Sequence, residues 1–276
     1  MYIQYHRYKF KGKFSWENMN QELRIKIAEL AYDFNEGHIP SAFSIIDILS
    51  ALYGSFLKYD SKNPEWEDRD YFIQSKGHGC MALYVILEKY GFIDKERLSS
   101  NCIGERILGG HPDWTKVPGV EASTGSLGNG IGYAAGVALG LKIKKKRNKV
   151  ITLIGDGESN EGTVWETALL APNLKLGNLC VIVDNNKSAV SPVPDMKKKW
   201  EAFGWETYEV DGHSEQEILR ALNNISFDYD SRPKVIIANT VKGKGVSFME
   251  NNGAWHSKVP NEPELHEIKQ ELLNGN

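Results

Sequence analysis

Val150-Ile151-Thr152-Leu153-Ile154-Gly155-Asp156-Gly157-Glu158-Ser159-Asn160-Glu161-Gly162 opens as an apolar run, halts on Gly-Asp-Gly and passes into a helical pattern over 163–174. A second apolar run follows, Leu179-Cys180-Val181-Ile182-Val183, and it halts on Asp184-Asn185-Asn186. Unbroken apolar runs of this length, bounded by turn residues and separated by a helix, read as parallel strands covered on both faces. This unit decides the fold class: α/β, mainly parallel sheet with helices on both faces.

The same alternation continues outward in both directions. Upstream, a small-residue helix is expected over 130–144, feeding the first apolar run. Downstream, helix 196–203 leads to strand 207–210, and helix 214–223 leads to strand 234–239. Met19, Leu23, Ile27, Leu30 and Phe34 recur at helical steps, and Gly37 is expected to end that helix. A second helix is expected from about Ser44, with Ile45, Ile48, Leu49, Leu52 and Phe56 on one face. A polar loop at 64–70, a short strand at 71–74, a helix over 79–90 and a Gly/Pro-rich loop over 108–130 complete the reading. With no internal repeat or linker, the organisation is an N-terminal arm over 1–16 and one domain over 17–276.

Composition narrows the function classes. A chain of 276 residues carrying a net charge of −3 lacks the basic excess expected of a nucleic-acid binder. The basic run 142–149 reads as a solvated helix end. Cys80, Cys102 and Cys180 are odd in number and widely spaced, which excludes a full disulfide framework or a CxxC metal site. Apolar stretches fall far short of the ~18 residues of a membrane span, and no leader pattern is visible, so no membrane association and a cytoplasmic location are expected.

In open α/β sheets ligands bind outside the carboxyl ends of strands, where both terminal segments lie. Gly155 and Gly157 let the backbone approach an anion, and the helix that follows adds its partial positive charge. Asp156 supplies a hard oxygen ligand for Mg²⁺, and the Asn186 amide oxygen completes the coordination from the next strand. Either half alone reads equally well as a turn; the two together form a thiamine-diphosphate fingerprint.

Longer runs carry a resemblance. Ser75-Lys76-Gly77-His78-Gly79, Pro118-Gly119-Val120-Glu121-Ala122-Ser123-Thr124-Gly125-Ser126-Leu127-Gly128, Ala202-Phe203-Gly204-Trp205 and Val241-Lys242-Gly243-Lys244-Gly245-Val246 lie collinear with the Gly-Asp-Gly segment. Over about 20–262 the chain resembles the N-terminal half of the transketolase family. The resemblance implies a thiamine-diphosphate-binding fold, with thiamine diphosphate and Mg²⁺ as cofactors. Asp156, Asn186 and the main-chain oxygen of Ser188 would be metal ligands. Gly155, Gly157, Glu158 and Glu161 fall among the cofactor-binding positions, and Gly125, Ser126 and Leu127 form the segment that approaches the aminopyrimidine. Glu161 and Glu166 match glutamates of the subunit interface, and Glu166 would couple to a partner's catalytic glutamate.

Histidine suits proton transfer near neutral pH. Any one of His38, His78, His111 and His256 could be structural; as a set, in loops beside glycine, proline or an aromatic residue, they match the family's active-site histidines. His78 and His256 would also reach the diphosphate. His6, His213 and His266 match nothing of the kind and read as surface or structural. In the family the pyrimidine-binding domain follows where this sequence ends, which implies a separate partner subunit carrying it and a two-plus-two assembly.

The implied activity is transfer of a two-carbon ketol unit from a ketose (phosphate) donor to an aldose acceptor. Two departures leave alternatives. Gly37-His38-Ile39-Pro40-Ser41-Ala42 alters the usual histidine loop. Lys187-Ser188-Ala189-Val190-Ser191-Pro192 is shorter than in ordinary transketolases and resembles the corresponding run of 2-oxoacid decarboxylase alpha subunits. Acyl transfer from a 2-oxoacid such as pyruvate is therefore an alternative. A non-catalytic, partner-stabilising subunit is another, and its mark would be loss of Asp156, Asn186 or the histidines, all of which are present.

Overall fold

In the computed structural model, which describes residues 15–99 and 108–275, the two apolar runs lie side by side as parallel strands. Val150–Gly155 is β2 and Leu179–Asn185 is β3, paired so that Gly155 stands opposite Asp184. With β1 (Tyr71–Gln74), β4 (Glu206–Asp211) and β5 (Lys234–Asn239) they make a five-stranded sheet in the order β1-β2-β3-β5-β4, every pair parallel. Successive side chains of a strand point to opposite faces, and both faces here are apolar. Ile151, Leu153, Cys180, Ile182 and Ile236 enter one core; Val150, Ile154, Val181, Val183 and Val235 enter the other.

The first core is closed by α1 (Trp16–Phe34), α2 (Ile39–Phe43), α3 (Ile46–Ala51), α4 (Cys80–Lys89), α5 (Lys95–Ser99), α9 (Glu215–Asn224) and α10 (Glu262–Asn274). The second is closed by α6 (Asn129–Ile143), α7 (Gly162–Asn173) and α8 (Met196–Ala202). A Ser15 side-chain cap starts α1, whose first residue is Trp16. The arm over 1–16 thus gives its last two residues to this helix; 1–14 lie outside the described residues, as do His6 and Cys102. Cys80 and Cys180 are buried free thiols, as expected.

Three expectations are corrected. Helix α1 stops at Asn35 in the left-handed conformation, two residues before Gly37. Gly37 serves another purpose: a Cβ there would stand 2.2 Å from the Ser257 carbonyl oxygen, so its bare backbone lets two loops touch. The helix expected from about Ser44 begins as α3 at Ile46 but passes at Leu52 into a π turn over Leu52–Phe56, and a short helix that was not expected, α2, precedes it. The break between α2 and α3 falls at Ser44, whose hydroxyl donates to the Asp184 carboxylate at 2.8 Å. Ile39–Phe56 does reach an 18-residue window of mean hydropathy 1.4, longer than the apolar runs read from the sequence; it is 83% buried in protein, which explains its composition.

Unexpected was α10, which has a capping box between Asn261 and Glu264 and packs Leu265, Ile268 and Leu272 onto the first core. The basic run is only partly a solvated end. Lys142 donates to the carbonyls of Leu174, Lys175 and Tyr229, and Lys149 pairs with Asp70 at 2.7 Å.

Candidate active site

Every strand delivers its carboxyl end to one edge of the sheet, and the loops leaving that edge hold the polar residues singled out in the sequence. The β2–β3 register brings Asp156 N–H onto the Asp184 carbonyl at 3.1 Å. It also places the Asp156 carboxylate beside Asn186. Asp156 Oδ2 and Asn186 Oδ1 each accept from the same donor, Ser188 N–H, at 3.1 Å. Two oxygens bonded to one N–H necessarily lie together. Burial and the neighbouring Asp184 push the Asp156 carboxyl above the usual carboxylate range, partly offset by Gly157 N–H and Lys76. The position therefore favours added positive charge.

Beneath it lies a buried ion pair. Lys76 Nζ and Asp184 Oδ2 are 2.5 Å apart, with side chains 1% and 0% exposed. Asp184 also accepts from Ser44, Thr240 and Asn186. Burial alone would raise this carboxyl; Lys76 and the hydroxyl donors outweigh it and hold it low. Glu158 is likewise enclosed. Its carboxylate takes the Ser75 hydroxyl and the N–H groups of Gly128 and Gly155, so it braces three loops and turns no oxygen to the opening.

Three of the four histidines meet. Ring centroids are 5.7 Å apart for His38–His78, 5.4 Å for His38–His256 and 6.3 Å for His78–His256. His38 sits in the left-handed region at φ 71°, an unusual conformation for a side chain of this size and a mark of local constraint. Burial, then the neighbouring Lys76, lowers His78 to about 2. Burial and the other imidazoles lower His38. At the rim, partial desolvation followed by Lys242 lowers His256. All three shifts favour the neutral ring, with one N–H donor and one acceptor nitrogen each; in His256 the acceptor Nδ1 is taken by Lys242.

His111, near enough to His38 to help lower its pKa, lies against Gly125 on a concavity of about 250 Å³ that Ser123, Ser126, Asn129 and Tyr133 also line. Tyr84 holds its loop by donating to the Gly109 and His111 carbonyls. Leu127 borders the same segment, half-buried. Glu161, the N-cap residue of α7, and Glu166, on that helix, are both exposed.

Lys242 has no assigned role in the sequence reading, although its motif is quoted there. Its buried ammonium reaches Ser188 Oγ at 3.1 Å and His256 Nδ1 at 2.8 Å, joining the oxygen pair to the histidines. Burial and Lys76 lower its pKa. Lys76 and Asp184 carried a weak signal too: a charged residue directly after an apolar strand is often a buried one.

Comparison with known proteins places this geometry. The sequence matches the family described as "Transketolase, thiamine diphosphate binding domain" over residues 17–274. It is 36% identical over 265 residues to an apulose-4-phosphate transketolase subunit of Phocaeicola vulgatus, covering 93% of each chain. To the 6-deoxy-6-sulfo-D-fructose transketolase subunit SqwG of a Clostridium species it is 38% identical, covering 80% of this chain and 82% of that one. The transketolase structure of Campylobacter jejuni superposes with a TM-score of 0.86 at 30% identity, over 93% of this chain and 42% of that chain. The chain thus spans about two fifths of such transketolases and nearly the full length of the subunits.

Proposed function

Since the chain belongs to the transketolase family and carries its thiamine-diphosphate-binding domain, we propose that its cleft binds the diphosphate of the cofactor together with Mg²⁺ and works with a second subunit. The chain is a ketol-transferring transketolase subunit, a transferase. The observation that carries the site assignment is the convergence of Asp156 Oδ2 and Asn186 Oδ1 beside Lys242, His78 and His256.

The residues fit the cofactor. Among the described residues no three His, Cys, Asp or Glu side chains converge on a metal point, which argues against a site closed by protein alone. One carboxylate, one amide oxygen and a carbonyl from Ser188 suit Mg²⁺, which keeps several positions for phosphate oxygens and water. The raised Asp156 carboxyl fits the same need for a cation.

When bound, thiamine diphosphate supplies the electron sink for breaking and remaking the bond beside a ketose carbonyl. The chain's own residues do the rest. Lys242 would hold the anionic end, with the side-chain-free Gly157 beside it; the N–H groups of Gly155, Asp156 and Gly157 are already taken by Glu158, Asp184 and Asp156. Gly125, Ser126 and Leu127 border the aminopyrimidine. Neutral His38 and His78 offer a donor and an acceptor nitrogen to carbonyl and hydroxyl groups, and His256, its Nδ1 held by Lys242, offers its N–H, so protons move at defined nitrogens. His111 serves from the adjoining concavity.

The partner subunit supplies the pyrimidine-binding half, and Glu161 and Glu166 meet it in a two-plus-two assembly. The relatives' names support a sugar donor bearing an anionic group, phosphate or sulfonate. A charged phosphate or sulfonate keeps such sugars from crossing a membrane unaided, which supports the cytoplasm as the proposed location. Reconstitution with the co-purified partner, Mg²⁺ and thiamine diphosphate tests the reading by product analysis. Ketol transfer from xylulose 5-phosphate is expected; turnover of pyruvate with CO₂ release, and none of the sugar, would replace it with acyl transfer.

A further inference from the structure

His213 lies outside the cleft, yet it ends a chain of hydrogen bonds that starts in the first core. Asp47, buried on α3, takes Asn20 at 2.7 Å and pairs with Arg24 of α1 at 2.5 Å. Asp47 Oδ2 also faces His213 Nδ1 at 2.6 Å, and His213 Nε2 accepts Val241 N–H at 2.8 Å. Because Val241 can only donate, Nε2 is bare and the ring proton sits on Nδ1, aimed at the carboxylate. The imidazole is thereby fixed in one tautomer and one orientation.

The turn that carries it is fitted to the same purpose. Gly212 packs so closely that a Cβ would stand 2.3 Å from Thr240 Cγ2, and its N–H donates to the Asn239 carbonyl at 2.8 Å. The Asp211–His213 turn is thus seated on the stretch leaving β5. The next residue along that stretch is Lys242. Its flanks are pinned as well: Gly243 N–H reaches the Pro40 carbonyl at 3.0 Å, and the Lys242 carbonyl takes Asn251 N–H at 2.9 Å.

We propose that His213 is a positioning residue for the anion end of the site: the Asp47–His213–Val241 chain holds the backbone that sets Lys242 between Ser188 and His256. This rests on the reading of the cleft as the diphosphate site. An imidazole that clamps a main-chain N–H fixes where the next side chain starts, much as outer partners orient the ligands of a metal site. His213 touches neither cofactor nor substrate, so its loss is felt in binding rather than in the chemical step.

The test uses the full chain assembled with its co-purified partner and measures three quantities: the Kd of thiamine diphosphate in Mg²⁺ by calorimetry, kcat at saturating cofactor, and Tm. In His213→Phe the Kd is expected to rise about tenfold, with kcat within about twofold. His213→Gln keeps a carbonyl oxygen for Val241 N–H and should return the Kd to within about threefold of wild type. On a Lys242→Met background His213→Phe should add nothing further, since both act through one contact. An unchanged Kd in His213→Phe, equal losses in the Phe and Gln variants, or full additivity with Lys242→Met overturns the proposal. Asp156→Ala separates the two failures: if it abolishes binding while His213→Phe does not, only the positioning role falls. If Asp156→Ala also binds normally, the diphosphate site itself is wrong.

Discussion

The carboxyl edge of the sheet and the outer face of the α6–α7 pair adjoin each other and are built on opposite terms. At the edge, charged groups find partners within the chain: Lys76 with Asp184, Asp47 with Arg24 and His213, Glu158 with three loops. On the outer face, Tyr133, Ile143, Leu169 and Leu170 stand 49–72% exposed, and added methyl groups at Gly136 or Gly140 would meet nothing within 4 Å. One region is finished by this chain and the other is left open, as a half-site that awaits a second subunit would be. On the proposed reading, the anion and the imidazoles are positioned by this chain, and the apolar face is covered by the second subunit.

The two buried aspartates give the largest test of this contrast. Asp184→Ala strands the Lys76 ammonium in the interior and should cost about 3–5 kcal/mol of stability in denaturant titration; a loss near zero would mean that the pair is not the anchor of the edge. Asp156→Ala should behave oppositely. Its carboxylate is disfavoured by burial and by Asp184, so the cofactor-free chain should melt no lower, while affinity for thiamine diphosphate with Mg²⁺ falls by about a hundredfold or more.

On the open face, Leu170→Glu should leave the isolated chain within about 0.5 kcal/mol of wild type. It should weaken association with the partner about tenfold or more in sedimentation or native mass spectrometry. Unaltered assembly would put the interface elsewhere. His78→Gln probes the closed side by pH. The folded ring titrates at about 2 rather than 6.5, so between those values the unfolded chain binds more protons. Stability contributed by the neutral ring is complete above pH 6.5 and is lost as pH falls below it, by at most about 1.4 kcal/mol per unit. The glutamine variant should show a shallower acid slope in melts between pH 6 and 4, and an identical slope would sink the assignment. Smallest of all, Gly136→Ala should stabilise the isolated chain by about 0.5–1 kcal/mol, because a helix gains from alanine where no neighbour is crowded. If a partner helix packs closely there, the same methyl group should weaken the assembly.

Much of this architecture was legible in the sequence. All five strands lie within a residue or two of their expected bounds, since runs such as 150–154 and 179–183 are apolar throughout and bounded by turn residues. Helix α10 was missed although Asn261 and Glu264 spell out its capping box. Helix α2 was not read ahead of the 44–56 helix; the break between the two falls where Ser44 turns toward Asp184, 140 positions away. His38, His78 and His256 were legible as a group through their motifs, and their mutual approach agrees with that reading. His213, read as surface or structural, has its role written only in its two partners, one on α3 and one after β5.

What the sequence determined by itself was the set of local rules. Unbroken apolar runs, buried on both strand faces, spelled out a parallel sheet, and Gly-Asp-Gly with Asn-Asn at two strand ends marked the proposed site for an anion and a cation. What the tertiary structure alone decided was the partnering of buried charged groups: Lys76 with Asp184, Asp47 with Arg24 and His213, Lys242 with the neutral His256. A buried charge is tolerable only where a counter-charge or hydrogen-bond acceptors meet it. The residues that meet are 14 to 166 positions apart, so no local pattern specifies them. They are chosen by the register of the strands and the crossing of the loops at one edge.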